Sequence, residues 1–303
     1  MSTKAIARIP ASTTNLGPGF DVLGLALQLY STIELETTDT GTEIVVNGVD
    51  ADKIPNSTDN IAFQAAASIF KRTGCQPDGL RMVLTNGIPA IRGLGGSGTA
   101  ILGGLLTANT ICGTPFSQAE ILNFATEFEG HPDNVAASLL GGLVISAIET
   151  EQVHTIKLDC GSALKVVLAI PDFPLSTEEA RRVLPQSVEF TDAIYNVSRS
   201  SLLVAAMATG TLEMLPVAMN DQLHEPYRTP LIQGFDDVAQ AARRAGALSV
   251  ALSGAGPSIA AYCTTSTTEV AAQMRQAFAH HQVACDVKIL AIDTIGATVQ
   301  ISE

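Results

Sequence analysis

The first part of the chain has hydrophobic residues at every second position in several runs. Such alternation is typical of strands with one buried face, and it occurs in "KAIARIP", near residues 22–37 and near residues 43–47. A loop rich in Asn, Gly and Pro separates the first two runs. The pattern predicts a small sheet that is mostly antiparallel or mixed.

Helix-like spacing of hydrophobic residues begins with "NIAFQAAASIFKRTG", which predicts an amphipathic helix that ends at Gly74. The strand "GLRMVLTNGIP" follows and enters a glycine-rich loop. Further helices are predicted from Ser97 to about Ile111 and from Ser117 to about Phe128. A short helix after "EGHPDN" and the strand "GLVISAI" complete this part.

The second part of the chain mixes strands and helices without a strict alternation of the two. The polar segment "ETEQVHTIKLDCGS" predicts a hairpin at the junction of two domains, residues 1–153 and 154–303. Strands are predicted at "LKVVLAIP", "ALSVALSG", "SIAAYC" and 283–292, and helices near 177–184, 188–207, 211–219, 230–245 and 268–280. The mixture favours the α+β class over a doubly wound sheet.

Composition and charge limit the classes of partner. The 303 residues are 46% hydrophobic and 16% charged, which is typical of a globular protein with a substantial core. The formal net charge is -13, so we expect neither a nucleic acid nor an anionic membrane as partner, because both bind basic surfaces. A small anionic substrate is still compatible, since a few arginines can locally oppose the overall field.

Cysteine usage and hydropathy predict a cytoplasmic protein. Cysteines stand at positions 75, 112, 160, 263 and 285 without a C-x-x-C pair, which is typical of reduced thiols rather than of disulfides. Residues 1–20 lack the apolar core of a signal peptide, and the longest apolar runs, such as "AILGGLLTA", are too short to span a bilayer.

The glycine-rich stretch "RGLGGSGTA", residues 92–100, has several interpretations. Gly93, Gly95 and Gly98 fit the dinucleotide pattern G-x-G-x-x-G, but no strand that ends in Asp or Glu follows in "TICGTPFSQAEI". A Walker-type loop requires G-K-[ST], which is absent from this stretch. The stretch could cradle another phosphate, because its backbone N–H groups and the helix start at Ser97 attract anions. Considered alone, it could equally be a tight turn.

Other stretches combine polar and small residues in ways that an ordinary turn does not require. "PASTTNLGPGFDVLGLAL" is a long Gly/Pro loop that carries Asn15 and Asp21 and has few charges for a surface turn. "EGHPDNVAASLLGG" holds a group of polar side chains at a helix start, of which an N-cap would explain only one. That group consists of Glu129, His131, Asp133 and Asn134. "SGAGPS" lies between strands, where the alternative is a tight connection with positive φ.

Together these stretches resemble the GHMP small-molecule kinases. The first looks like the N-terminal substrate motif of that superfamily, "RGLGGSGTA" looks like its ATP motif, and "SGAGPS" looks like its third motif. "LSTEEARRVLP", "HEPYR" and "EGHPDN" look like the homoserine kinase branch, and the resemblance spans Pro10 to Ser258. The chain departs from the usual G-L-G-S-S-A at Gly96 and Gly98, where the family usually has Ser and Ala.

The resemblance implies an α+β fold with the two subdomains of the GHMP kinases. The N-terminal, nucleotide-binding part would be similar to ribosomal protein S5, and the C-terminal part would be a ferredoxin-like α/β sandwich. ATP, Mg²⁺ and a homodimer are implied as well. The residues implied to bind ATP are Arg92, Gly93, Leu94, Gly95, Gly96, Ser97, Gly98, Thr99, Ser253, Gly254 and Gly256.

The implied reaction is the ATP-dependent phosphorylation of the side-chain hydroxyl of L-homoserine to O-phospho-L-homoserine, in threonine biosynthesis. Arg181 and Arg228 match the positions that bind the substrate carboxylate, a task that suits a planar guanidinium. Only one of Arg181 and Arg182 can face a site, because they are adjacent on a helix. Asn15 and Asp21 match the ammonium and hydroxyl side of the substrate.

The remaining implied roles concern the pocket wall and the phosphoryl transfer. His131 and Asn134 complete the substrate pocket. Ser97 and Glu129 are the implied ligands of Mg²⁺, which favours few protein oxygens plus water. Asn134 and Thr177 are implied to be catalytic, and Thr177 is expected near the γ-phosphate.

Asp133 is the nearest candidate for a general base, although it could instead orient the substrate, because a loose transition state demands little of a base. The alternatives are another GHMP kinase for a different hydroxylated acid or sugar, and a catalytically weak ligand-binding relative, which the altered glycine loop would favour. A dinucleotide oxidoreductase is a more distant alternative. A metal site in "HEPYR" is not expected, because the second His of H-E-x-x-H is missing.

Overall fold

The structure, a computed structural model, describes residues 3–160 and 163–302 and contains two β-sheets. The strands are β1 (Lys4–Asn15), β2 (Gly19–Thr38), β3 (Gly41–Gly48), β4 (Gly79–Asn86), β5 (Leu143–Glu149), β6 (Gln152–Leu158), β7 (Lys165–Pro171), β8 (Ser249–Leu252), β9 (Ile259–Cys263), β10 (Cys285–Ala291) and β11 (Thr298–Ser302). The helices are α1 (Ile61–Thr73), α2 (Gly96–Ile111), α3 (Gln118–Glu129), α4 (Asp133–Leu140), α5 (Thr177–Arg182), α6 (Phe190–Thr209), α7 (Leu215–Ala218), α8 (Glu225–Arg228), α9 (Phe235–Arg244) and α10 (Thr267–His280). Short 3₁₀ turns lie at Ala51–Lys53, Leu212–Met214 and Thr229–Leu231.

The first sheet is organised around the long strand β2. Its order is β11-β1-β2-β4-β3, and the hairpin of β5 and β6 joins it through the beginning of β2. The pair of β3 with β4 is parallel, and the other pairs are antiparallel. The pairing of β1 with β2 shifts its register between Thr14 and Asn15. Residues 15–21, which include the last residue of β1 and the first residues of β2, carry Asp21 and are called the β1–β2 loop below.

The second sheet is antiparallel, with the order β10-β7-β9-β8. Successive side chains of a strand point to opposite faces of the sheet. In β7, one of the two inner strands, side chains on both faces are buried. Val166 and Leu168 belong to the same buried cluster as Leu25 and Leu27 of β2. Val167 belongs instead to the cluster that α9 and α10 cover. A core shared by both sheets therefore holds the two parts of the chain together.

The helices α1 and α2 cover the first sheet and pack closely on each other. A Cβ atom at Gly104 of α2 would overlap the carbonyl oxygen of Ala62 in α1. Small residues in α2 therefore let the two backbones approach. The predicted start and end of α1 are confirmed: the Asn60 side chain caps its first turn, and Gly74 ends it in the left-handed region.

Two helix predictions are wrong in their extent. Residues 211–219 form a 3₁₀ turn followed by the single turn α7 rather than one helix. The helix predicted at 230–245 begins at Phe235, because Gly234 before it has φ 82° and interrupts the helical backbone. The one-turn helix α8 and the last strand β11 were not predicted; most of β11 is exposed, and it pairs with β1.

The predicted α+β fold class is confirmed. The division into residues 1–153 and 154–303 stays a prediction, and β6 and β11 both pair within the first sheet. Residues 1, 2, 161, 162 and 303, which include part of the predicted junction, lie outside the described residues. Within residues 3–160 and 163–302, no helix combines the length and the apolar character that a membrane crossing needs.

Candidate active site

A cavity of about 460 Å³ opens where several loops meet. It is lined by the β1–β2 loop, the glycine loop before α2, the α3–α4 loop, the start of α5, and the β8–β9 loop. The residues predicted for the site all line this cavity except Gly98 and Ser253. Segments far apart in the sequence are thus gathered around one space.

The glycine loop packs directly against the β8–β9 loop. Gly93 has φ +71°, and a Cβ atom there would overlap the carbonyl oxygen of Ser253. The Ser253 hydroxyl donates to the Gly93 carbonyl at 2.7 Å, and the Thr13 hydroxyl lies 2.9 Å from it. Ser253 therefore fastens the two loops together from behind the cavity.

The start of α2 presents backbone N–H groups toward the cavity. Gly95 occupies the N-cap position without a side-chain cap, and the Thr99 N–H donates to its carbonyl at 2.9 Å. The N–H groups of Gly96, Ser97 and Gly98 have no acceptor within the helix, because they precede its first hydrogen bond. Donors at the positive end of a helix dipole suit phosphate oxygens.

The two positions at which the glycine loop departs from the family pattern differ in the space around them. A Cβ atom at Gly96 would meet Ile88 Cγ2 at 3.9 Å, which is ordinary contact. A Cβ atom at Gly98 would lie 3.1 Å from Val135 Cγ1. A serine therefore fits at position 96, whereas an alanine at position 98 requires a small shift of Val135.

Arg92 supports the glycine loop through backbone carbonyls. Its Nε donates to the Pro171 carbonyl at 3.0 Å, and one terminal nitrogen donates to the Ala90 carbonyl at 3.1 Å. Its other terminal nitrogen lies 3.8 Å from the Asp172 carboxylate. Although the side chain lines the cavity, most of its donors are engaged with the protein, and a direct contact with ATP stays a prediction.

The β1–β2 loop holds Asn15 and Asp21 in fixed positions. The Asn15 side-chain N–H donates to the Gly254 carbonyl at 2.8 Å, and its Oδ1 accepts the Asp21 N–H at 3.0 Å. Asn15 and Asp21 have φ values of 70° and 57°, in the left-handed region where Asn and Asp are enriched. The amide of Asn15 thus joins this loop to the β8–β9 loop and positions Asp21.

Asp21 and Arg181 form a bidentate ion pair across the cavity. The distances between guanidinium nitrogens and carboxylate oxygens are 2.8 to 3.0 Å. Arg182, the next residue, is 69% exposed and pairs with Glu178. Of the two adjacent arginines, only Arg181 lines the cavity.

Arg228 is a buried guanidinium, 1% exposed, at the same end of the cavity. Its Nε donates to the Ala180 carbonyl at 3.1 Å, and one terminal nitrogen lies 3.3 Å from His224 Nδ1. Within residues 3–160 and 163–302 it forms no salt bridge, unlike Arg181. Burial and the nearby Arg181 lower the pKa of Arg228 to about 10. An incoming carboxylate would give this charge the ion-pair partner that the described residues do not supply.

The α3–α4 loop and the start of α4 form another wall of polar groups. His131 Nδ1 lies 2.6 Å from Asp133 Oδ1, which also accepts the Asn134 N–H at 2.9 Å. The Asn134 side-chain oxygen accepts the Ser12 hydroxyl at 2.9 Å. Asp133 is 1% exposed. Ligand-type atoms of Asp21, His131 and Asp133 lie within 4.8 Å of one another, so this wall meets the β1–β2 loop.

Burial and neighbouring charges shift two pKa values on this wall. Burial raises the pKa of Glu129, and His131 and the Ser97 hydroxyl oppose that shift. Burial alone would lower the pKa of His131. The hydrogen bond to Asp133 and the nearby carboxylates outweigh burial, so the net effect is a raised pKa. The imidazolium form of His131 is therefore favoured among these carboxylates.

Comparison with known proteins identifies the family. The family model described as "GHMP kinases N terminal domain" matches residues 60–142, and that described as "GHMP kinases C terminal" matches residues 203–280. The chain is 46% identical to a homoserine kinase of Moorella thermoacetica over 294 residues, which cover 97% of this chain and 99% of that protein. The chain belongs to the homoserine kinase family. The predicted resemblance is confirmed.

Other members of the homoserine kinase family agree in sequence and in structure. A homoserine kinase of Crocosphaera subtropica is 41% identical, over 99% of this chain and 98% of that protein. The crystal structure of the homoserine kinase from Cytophaga hutchinsonii has a TM-score of 0.89 at 29% identity, and the match covers 99% of this chain and 97% of that one. A crystal structure of mevalonate kinase, at 16% identity and a TM-score of 0.68, shares the fold.

The cavity extends beyond the residues that the homoserine kinase motifs predicted. This extension is formed by the segment between β3 and α1 and by the end of β4. It is lined by Lys53, Ile54, Pro55, Asp59, Asn60, Ile61, Asn86 and Ile88. The sequence pattern at this point predicts the helix that begins in "NIAFQAAASIFKRTG" but no part of a ligand site. In the structure, Asn60 Oδ1 caps that helix by accepting the Ala62 N–H at 2.9 Å. The position of this extension beside the glycine loop depends on how β4 and α1 pack.

Replacing Gly93 by alanine is expected to destabilise this homoserine kinase family member more than the same change at Gly74. The φ values are +71° and +72°, so the strain of a left-handed alanine, roughly 1–2 kcal/mol, is the same. A Cβ atom at Gly93 would overlap Ser253, whereas nothing lies within 4 Å at Gly74. We expect the two variants to differ by about 1–3 kcal/mol in the free energy of unfolding, measured with urea. Equal losses would show that the two loops are not in tight contact.

Proposed function

We propose that this protein transfers the γ-phosphoryl group of ATP to the side-chain hydroxyl of L-homoserine and releases O-phospho-L-homoserine, a reaction of threonine biosynthesis. One observation carries the proposal. A single cavity contains the open N–H groups at the start of α2 and the buried Arg228, which forms no salt bridge with a carboxylate of residues 3–160 and 163–302. The first suits phosphates, and the second suits the carboxylate of an amino acid.

The triphosphate of ATP would lie against the start of α2, on the cavity side of the contact between the glycine loop and the β8–β9 loop. The contact of Gly93 with Ser253 sets the distance between these loops. The nucleoside would occupy the neighbouring extension of the cavity, which Ile54 and Ile88 make partly apolar. Phosphoryl transfer depends mostly on positioning and charge neutralisation, which rigid loops and aligned N–H groups provide.

Mg²⁺ fits the chemistry of Ser97 and Glu129. Hydroxyl and carboxylate oxygens are ligands that Mg²⁺ prefers, and Ser97 and Glu129 both line the cavity. Burial raises the pKa of Glu129, and no lysine or arginine of the described residues lies close enough to form an ion pair with it. Bound there, Mg²⁺ would neutralise negative charge on the β- and γ-phosphates.

The amino acid would bind between Arg228 and Asp21. Its carboxylate would bind the Arg228 guanidinium, which forms no ion pair with the described residues. Its ammonium group would approach the Asp21 carboxylate, which Asn15 holds in place. Arg181, now paired with Asp21, could turn its fork to the same carboxylate. His131 and Asn134 would close the pocket on the side of α4.

Asp133 and Thr177 would act at the reacting groups. Asp133 Oδ1 is engaged by His131 and by the Asn134 N–H, which leaves Oδ2 to accept the proton of the substrate hydroxyl. Thr177 is the first residue of α5 and lines the cavity, from where its hydroxyl would approach the γ-phosphate. Asn134, held by Ser12, would keep the wall behind Asp133 rigid.

A coupled assay of ADP release, with homoserine, mevalonate, galactose and shikimate as acceptors, tests the proposal. We expect turnover with homoserine that clearly exceeds turnover with the other three. Equal or faster turnover of another acceptor would assign the protein to a different GHMP reaction. Homoserine binding by calorimetry without turnover of any acceptor would make it a ligand-binding relative.

Replacing Gly96 by serine is expected to lower the KM for ATP, because the hydroxyl adds a donor where the position has free space. The change should also stabilise the fold by about 0.4–1 kcal/mol, since a serine restricts the unfolded chain more than a glycine does. Gly98→Ala is the matched comparison, because its Cβ would press on Val135 at 3.1 Å. An unchanged or higher KM for ATP in Gly96→Ser would show that the missing hydroxyl is already compensated.

We also propose that the protein is a cytoplasmic homodimer without a nucleic-acid partner. The resemblance to the GHMP kinases implies a homodimer, the net charge of -13 disfavours polyanions, and all five cysteines are free thiols, as expected in a reducing compartment. Light scattering coupled to size exclusion should give twice the chain mass of 31.5 kDa. A mass equal to one chain would contradict the dimer.

A further inference from the structure

We propose that His224 is a positioning residue for the amino-acid substrate, because it fixes Arg228 against the β1–β2 loop. The inference rests on the proposed function, in which Arg228 holds the substrate carboxylate. His224 itself does not line the cavity. It therefore acts on the substrate through Arg228 rather than by touching it.

The contacts of His224 define one tautomer. The side chain is 0% exposed, its Nε2 lies 2.8 Å from the Gly17 carbonyl, and its Nδ1 lies 3.3 Å from a terminal nitrogen of Arg228. A carbonyl can only accept and a guanidinium can only donate, so Nε2 carries the proton and Nδ1 accepts from Arg228. Burial lowers the pKa of His224 and outweighs the opposing charge of Asp221, whose carboxylate lies 3.7 Å from Nε2. The charge of Arg228 adds to the lowering, which agrees with a neutral ring.

Phe20 strengthens the same connection. Its ring stacks on His224 with centroids 5.1 Å apart, and the Arg228 guanidinium carbon lies 4.9 Å from its centre. Phe20 directly precedes Asp21, so His224 and Arg228 pack against the segment that carries the proposed ammonium partner. Asp21 and Arg228, which are proposed to bind the two opposite charges of the amino acid, are thus held in a fixed arrangement.

The backbone of His224 is itself held by Asp221. One oxygen of this buried carboxylate accepts the N–H groups of His224 and Glu225 at 2.8 and 2.7 Å. The other oxygen accepts from the Asn196 side chain at 2.7 Å, and Asn196 lies on α6. The ring of His224 therefore has little freedom, which is what a residue that orients another one requires.

The test compares two substitutions, each of which retains the hydrogen bond of only one of the two imidazole nitrogens. His224→Gln can still donate to the Gly17 carbonyl but offers Arg228 no acceptor at the Nδ1 position, whereas His224→Asn keeps an acceptor near that position. We expect His224→Gln to raise the KM for homoserine by up to about tenfold, as for the loss of one hydrogen bond, with the KM for ATP unchanged. His224→Asn should recover most of the loss.

A double-mutant cycle separates positioning from general damage. In an Arg228→Ala background, His224→Gln should change the KM for homoserine less than twofold. The same fold-change in both backgrounds, or an equal rise in the KM for ATP, would overturn the inference. Turnover by the wild-type protein reports on the proposed function separately. If the wild type does not turn over homoserine, long-range ¹H–¹⁵N NMR of the His224 ring tests the inference. The Nε2–H tautomer, with ring signals that change in Arg228→Ala, supports it. The Nδ1–H tautomer, or ring signals that do not change in Arg228→Ala, overturns it.

Discussion

Replacing Asp133 by asparagine is expected to lower kcat for homoserine phosphorylation by about 10²- to 10⁴-fold, the usual contribution of general acid–base catalysis. Asparagine has the same shape, and its oxygen can still accept from the Asn134 N–H and from His131. What it lacks is the second carboxylate oxygen that would take the hydroxyl proton. The KM values for ATP and homoserine should change much less than kcat, and steady-state kinetics measures both.

Asp236→Asn is the matched control for this variant. Asp236 is an exposed aspartate in the first turn of α9, as Asp133 is in the first turn of α4, so both changes remove a negative charge near a helix N-terminus. We expect Asp236→Asn to leave kcat unchanged. A loss of less than tenfold in Asp133→Asn, with an unchanged melting temperature, would show that the loose transition state needs no base at this position.

Replacing Arg228 by alanine is expected to raise the KM for homoserine by about 10- to 150-fold, which corresponds to the roughly 1.5–3 kcal/mol of a hydrogen bond to a charged group. The reason is that the substrate carboxylate would lose its proposed partner, a guanidinium that is 1% exposed and forms no salt bridge within residues 3–160 and 163–302. Arg228→Lys should recover part of the affinity, because it keeps the charge but not the planar fork. The KM for ATP should stay within about twofold, since the hydrogen-bond partners of Arg228 among the described residues are Ala180 and His224 rather than residues of the glycine loop.

Arg182→Ala is the control for Arg228→Ala. Arg182 is 69% exposed and pairs with Glu178 on the surface of α5, so its loss should leave the homoserine KM unchanged. Alanine at position 228 also removes the partner of the Ala180 carbonyl, so a melting curve should accompany the kinetics. A homoserine KM within twofold of wild type would remove Arg228 from the substrate site.

Local features of the site could be predicted because they depend on neighbours in sequence. Gly74 ends α1, the polar group of "EGHPDN" opens α4, and the glycine loop opens α2, as the residue types at those positions predict. Each of these follows from φ preferences or from the unsatisfied N–H groups of a helix start. The resemblance to a family then identified which of these loops share a site.

Long-range contacts could not be predicted, because no local pattern contains them. The pair of Asp21 with Arg181 spans 160 positions, and β11 pairs with β1 from the other end of the chain. Motif membership also implies a ligand contact for Ser253, which stays a prediction; in the structure its hydroxyl donates to the Gly93 carbonyl. Most donors of Arg92 are likewise engaged with the protein. Burial and hydrogen-bond partners, which only the folded chain shows, decide such cases.

The measurement that tests the central claim most directly is ³¹P NMR of the wild-type protein with ATP, Mg²⁺ and L-homoserine. We predict a phosphomonoester signal of O-phospho-L-homoserine that grows in step with ADP and requires homoserine. ADP with inorganic phosphate as the other product, or no change in ATP under conditions where homoserine binds, would contradict the proposed reaction.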